Sequence, residues 1–138
     1  MRRCCLFLVM LTTFFAIPSG TAQGAGRKAS HSQADVTWDF VTREDNMGNP
    51  NTRVFLKVGG RRVFIVRDTA QFSVLEKKDY SSRGVPSSAV VACTSWWAGS
   101  GSEMYVIRRN RQLIVYIRYL DEQSETGRYR RLKVIPLR

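Results

Sequence analysis

Short β-type runs fill the chain from residue 36 onward, and they constrain its fold more than any other feature. Runs rich in Val, Ile, Phe, Tyr and Thr recur about every ten residues, separated by clusters of Gly, Asn, Ser and Pro. No segment has the apolar periodicity of a helix longer than one turn. Eight strands are predicted, over residues 36–42, 52–58, 61–68, 71–77, 88–97, 103–109, 112–120 and 128–135. The pattern indicates a single antiparallel all-β domain over residues 35–138, either a β-sandwich or a small β-barrel.

The sequence Gly59-Gly60 predicts the best-defined turn, because two glycines supply the positive φ angles of a two-residue hairpin. A turn at this position places Val58 opposite Arg61 and fixes the register of both strands. One face then pairs apolar residues that we expect in the core, namely Leu56 with Val63 and Val54 with Ile65. The other face pairs Phe55 with Phe64 and Lys57 with Arg62, so it is predicted to be a mixed aromatic and basic surface.

A second hairpin is predicted to turn at Asn110-Arg111, because Asn tolerates left-handed backbone geometry. The register that follows places Val106 opposite Val115 on the core face. Tyr105 lies opposite Tyr116 on the other face. Trp38, Phe40, Val91 and Cys93 complete the predicted core.

The first segment has the layout of a secretory signal peptide. Arg2 and Arg3 precede an uncharged run of 12 residues, 6–17, and Pro18 and small residues follow it. That run is too short to cross about 30 Å of hydrocarbon as a finished helix, which disfavours an uncleaved membrane anchor. We therefore predict a signal peptide over residues 1–22, cleaved after Ala22 or Gly24, and a flexible leader over residues 23–34. The mature chain is expected to be secreted or periplasmic, with no transmembrane segment.

Only Cys93 of the three cysteines remains after this cleavage. A single thiol cannot form an intramolecular disulfide or a four-cysteine metal site. Its apolar neighbours predict a buried thiol. A disulfide to a second chain stays open as the alternative.

The residues of most catalytic sites are missing. His31 is the only histidine and lies in the predicted leader, which removes the usual general base and any imidazole-ligated zinc site. Carboxylate pairs such as Asp39 with Glu44, or Asp121 with Glu122, leave glycoside hydrolysis open. The acidic loop at residues 121–125 lacks the glycine spacing of a calcium loop. Enzymatic activity is therefore the less favoured class, and we expect no cofactor and no metal.

Most of the basic charge belongs to the predicted domain. The whole chain carries +11, and removing the two arginines of the signal peptide leaves 20 cations against 11 acids, or +9. Arginine outnumbers lysine 17 to 5, and its planar fork suits carboxylate, sulfate and phosphate. The candidate anion-binding strip consists of Arg61, Arg62, Arg109 and Arg131. Charge that only protects a solvated sheet edge is the alternative.

Aromatic residues accompany these cations. Adjacent residues on a strand point to opposite faces, so one of Trp96 and Trp97 is expected to be exposed, and Tyr105 and Tyr116 form a candidate cross-strand platform. We predict a mixed site that binds an anionic partner at the cell envelope or outside the cell. Candidate partners are an acidic polysaccharide, a lipid head group or an acidic protein face, and nucleic acid is the least favoured. The alternative is a secreted inhibitor or interaction protein whose loop at residues 96–102 enters a partner's cleft.

Overall fold

The computed structural model describes residues 35–124 and 127–138, and the predicted signal peptide and leader lie outside these ranges. The described chain is all-β, as the sequence predicts, and its eight strands form two antiparallel sheets of three and five strands. The strands are β1 (Val36–Glu44), β2 (Pro50–Val58), β3 (Arg61–Asp68), β4 (Gln71–Val74), β5 (Val91–Trp97), β6 (Ser100–Arg109), β7 (Gln112–Asp121) and β8 (Arg130–Pro136).

The strand boundaries differ most from the prediction around β4 and β5. β4 ends at Val74, and the chain continues through two short 3-10 helices, Lys77–Asp79 and Ser81–Arg83, before β5 begins at Val91. Residues 75–77 and 88–90 therefore belong to this connection. No helix among the described residues is longer than these single turns.

The first sheet has the order β1-β2-β3, with the β2–β3 turn at the predicted glycines. The predicted pairing is confirmed from Val58 opposite Arg61 as far as Phe55 opposite Phe64. It is wrong for Val54, which lies opposite Val66 because a β-bulge adds one residue to β3 at this point.

The second sheet has the order β4-β5-β6-β7-β8. Its β6–β7 hairpin turns at Asn110, whose φ of 50° is the left-handed geometry predicted for it. The pairings of Val106 with Val115 and of Tyr105 with Tyr116 are confirmed.

One hydrophobic core contains side chains from both sheets. Its buried members include the predicted Trp38, Val54, Leu56, Ile65, Cys93, Val106 and Val115. Val63, Val91 and Phe40 are only partly buried and pack against this cluster. At one side of the core, Lys133 of β8 donates a hydrogen bond from Nζ to the carbonyl oxygen of Phe64 in β3, at 2.7 Å. This bond links the edge strands of the two sheets.

The two sheets differ in what lies on their outer faces. Residues 75–90 cover the outer face of the second sheet, where they form a second buried cluster with strand residues, made of Leu75, Tyr80, Val85, Ala89, Ala92 and Tyr105. The outer face of the first sheet has no comparable cover among the described residues, and its side chains there are exposed or partly exposed. The first sheet therefore presents the open face of the domain.

Candidate functional site

The open face of the first sheet is strongly cationic. Strand pairing brings five cations and one acid, Asp39, to this face, which gives a net charge of five minus one, or +4. We call this surface the basic face, and we define it by Arg43, Arg53, Phe55, Lys57, Arg62, Phe64 and Arg67.

Aromatic rings occupy the middle of the basic face. The rings of Phe55 and Phe64 meet edge to face, with centroids 5.7 Å apart. The Cζ atom of Arg62 lies 4.4 Å from the Phe55 centroid, and its Nε atom lies 2.6 Å from Oδ2 of Asp39. Phe64 remains 46% exposed. The ion pair and the ring together orient the Arg62 guanidinium, while Phe64 offers an apolar surface beside it.

The other cations of the basic face have no acidic partner within the part of the chain that the structure describes. Lys57 lies next to Arg62 at the β2–β3 turn end, and Arg53 lies directly opposite Arg67 nearer the other end. Arg43, Arg53 and Arg67 line a cleft of about 340 Å³, which Glu44 and Asp45 also line without pairing with them. These positive charges are available to a ligand.

The predicted site residues do not form a single surface. Arg62 belongs to the basic face, whereas strand alternation places Arg109 and Arg131 on the outer face of the second sheet, which points the opposite way. Arg61 lies at the turn end, in a recess of about 320 Å³ that Arg108 also lines. The four arginines of the predicted strip therefore face different directions.

The rings of Tyr105 and Tyr116 stack as a cross-strand pair, with centroids 5.0 Å apart. They do not form the exposed stacking surface that the sequence predicts. Tyr105 is only 9% exposed, because the connection at residues 75–90 packs on it and the ring of Tyr129 meets it at 4.7 Å. Its ring is therefore not accessible for stacking on a ligand.

The segment predicted to be a loop at residues 96–102 is a tight hairpin. Trp97 lies opposite Ser100 across a two-residue turn, where Ala98 and Gly99 have φ angles of 49° and 85°. Trp97 is partly buried, whereas Trp96 is 48% exposed. Ser102 is buried and donates its backbone N–H to Oγ of Ser95. Only Trp96 in this segment therefore offers a large exposed ring.

A buried carboxylate was not singled out by the sequence analysis. Glu103 is 1% exposed, and its Oε2 atom lies 2.6 Å from Nη2 of Arg118, while Nη1 of Arg83 contacts Oε1 at 2.5 Å. The Tyr129 hydroxyl donates to the same Oε2 at 3.0 Å. The hairpin register would have revealed the pairing with Arg118, but no local signal indicates Arg83. These three side chains contact both oxygens of the Glu103 carboxylate. Its role is therefore structural, and it is not available to a ligand.

Burial raises the pKa of the Cys93 thiol well above its ordinary value, so little thiolate forms at neutral pH. Among the described residues, no group of three or more His, Cys, Asp and Glu could hold a metal ion. No helix in that part of the chain is long and apolar enough to span a membrane.

Comparisons with protein-family models, with curated proteins and with solved structures found no match.

Proposed function

We propose that this protein is an exported β-sandwich domain, released by signal-peptide cleavage, that binds an anionic polysaccharide at the cell envelope or outside the cell. The observation that carries the proposal is the open, +4 basic face with an exposed aromatic ring at its centre. A field of one sign over an open surface attracts anionic ligands and accelerates their association. The ligand would bind through the basic face.

The layout of the face favours a polymer over a single ion. The row of Lys57 and Arg62 is four residues along β2 from the row of Arg53 and Arg67, which corresponds to about 13 Å at 3.3 Å per residue. A chain that carries repeated anionic groups can contact both rows at once. Phe64 lies between them and can support the apolar face of a sugar ring.

A binding titration with heparin as the sulfated polysaccharide and dextran as the neutral control tests this proposal. The double variant Lys57→Gln with Arg62→Gln should weaken heparin binding about tenfold or more, because it removes half of the net charge of the face. The matched control, Arg109→Gln with Arg131→Gln, removes the same charge from the opposite side and should change affinity less than threefold.

Ionic strength provides the second readout. Heparin affinity should fall steeply as salt rises, because exposed charges are screened beyond about 8 Å at physiological ionic strength. Equal losses in the two double variants would mean that total charge, not the basic face, determines binding. Binding of anionic phospholipid vesicles, or of an acidic protein, without binding of heparin would replace the polysaccharide by that partner.

The alternative is a protein–protein role centred on Trp96, and its 48% exposure is the observation in its favour. Trp96→Ala would then abolish binding to the partner. That binding should change little with salt, because an apolar contact is not screened. Salt-sensitive binding that survives Trp96→Ala would exclude this alternative.

A further inference from the structure

Two arginines face each other across the basic face. Arg53 of β2 and Arg67 of β3 are directly opposite in the register. Cross-strand neighbours have Cβ atoms about 4.5 to 5.5 Å apart, and like charges at that position destabilise a sheet. The unliganded domain therefore carries a repulsion that an anion between the two guanidinium groups would relieve.

No acid of the described chain relieves this repulsion. Glu44 and Asp45 line the same cleft, yet neither forms an ion pair with these arginines. The Asp45 carboxylate instead accepts hydrogen bonds from the backbone N–H groups of Met47 and Asn49, at 2.8 and 2.9 Å, and closes the β1–β2 turn. Arg43 adds a third positive charge to the cleft.

We propose that Arg53 and Arg67 form an oxyanion clamp, with Arg43 at its side, for the sulfate or phosphate ester groups of the anionic ligand. This inference rests on the proposed function and specifies the ligand's charged group. A sulfate or phosphate monoester presents three free oxygens, enough for two guanidinium forks at once. A carboxylate presents two oxygens instead of three, so two opposed forks would have to share them. The clamp therefore prefers sulfated or phosphorylated partners to uronic acids.

The clamp predicts opposite effects of one substitution on stability and on binding. Arg53→Glu places an acid opposite Arg67, which converts a repulsive pair into an attractive one. The midpoint of thermal unfolding should rise by a few degrees without ligand. The same change should abolish oxyanion binding, since it puts a negative charge in the cleft.

Thermal unfolding of the purified protein with sodium sulfate, sodium phosphate or sodium chloride at matched ionic strength tests the clamp. At about ten times Kd, a bound oxyanion should raise the midpoint by about 6 to 11 °C over chloride. Sulfate also stabilises proteins non-specifically, so the decisive quantity is the difference between variants. Arg53→Gln and Arg67→Gln should each weaken the oxyanion effect about tenfold, whereas Arg109→Gln, which removes the same charge from the outer face of the second sheet, should keep it.

The outcomes separate the clamp from the proposed function. Equal midpoints in the three salts, or an equal loss in Arg109→Gln and Arg53→Gln, would overturn the clamp. If heparin still binds in that case, the basic face stands as a diffuse polyanion surface. If heparin does not bind either, both proposals fail. A larger effect of sulfate than of phosphate would point to a sulfated glycan, and the reverse order would point to a phosphate-bearing partner.

Discussion

Replacing Glu103 by Gln tests how strongly the buried ionic network holds the connection at residues 75–90 on the second sheet. The substitution keeps the size of the side chain and removes its charge. It leaves Arg118 and Arg83 without their counter-ion, and their side chains are 19% and 42% exposed. Glu103 itself is 1% exposed, so solvent cannot replace the lost contacts from that side.

The magnitude follows from these exposures. Removing one partner of a fully buried ion pair costs about 3 to 5 kcal/mol. Both arginines reach water, which reduces the penalty, and the glutamine can still accept one hydrogen bond, so we expect a loss of roughly 2 to 3 kcal/mol. For a domain of this size, that loss lowers the midpoint of thermal unfolding by roughly 10 to 20 °C.

Urea and thermal unfolding, followed by far-ultraviolet circular dichroism, measure this loss. Arg83→Gln is the matched comparison, and because Arg83 is the more exposed partner we expect it to cost about 1 kcal/mol. A double-mutant cycle of Glu103→Gln and Arg118→Gln should give a coupling energy of at least about 1 kcal/mol. A loss below about 0.5 kcal/mol for Glu103→Gln would refute the reasoning, since the network would then contribute no stability. Heparin binding should be unchanged, because Glu103 lies on the other sheet.

Three further predictions concern stability. Gly101→Ala should cost about 3 kcal/mol in urea unfolding, because its new Cβ atom would lie 2.0 Å from the backbone oxygen of Ser95. Leu56→Ala, at a fully buried position, should cost about 2 to 5 kcal/mol in the same assay. The third prediction concerns pH: the free energy of unfolding should stay constant near pH 7 and decrease as the pH rises above about 9 to 10. Burial raises the pKa values of Cys93 and Tyr129 above their ordinary 9.0 and 10.0, so the unfolded chain loses these protons first. A stability that rises across this range would contradict the assignment.

Local features predicted the β2–β3 and β6–β7 turns correctly, but not the bulge that shifts the β2–β3 register beyond Phe55. Gly59-Gly60 and Asn110 each dictate a turn by their own backbone preferences, and period-two alternation then assigns the faces. The basic surface of Lys57 and Arg62 beside Phe55 and Phe64 followed from that register.

Contacts between residues that are distant along the chain could not be predicted from local sequence patterns. The burial of Tyr105 depends on where the connection at residues 75–90 folds back, and no alternation pattern in the sequence encodes that path. The contact of Arg83 with Glu103 joins residues 20 positions apart through the same connection. The arginine strip failed as a single surface for a related reason. Arginine clusters along the sequence show which strands carry charge. The packing of the two sheets determines which of those clusters lie on the same face of the domain.

The bulge in β3 determines which side chains the far end of the first sheet presents to solvent. Phe64 and Arg67 are three residues apart and yet share the outer face, whereas an unbroken strand would turn Arg67 inward. If β3 kept its length but paired without the bulge, every residue after Ile65 would exchange faces, which would turn Arg67 inward and bring Asp68 out in its place. The bulge therefore keeps a cation, and not an acid, on the solvent side at this end of the sheet.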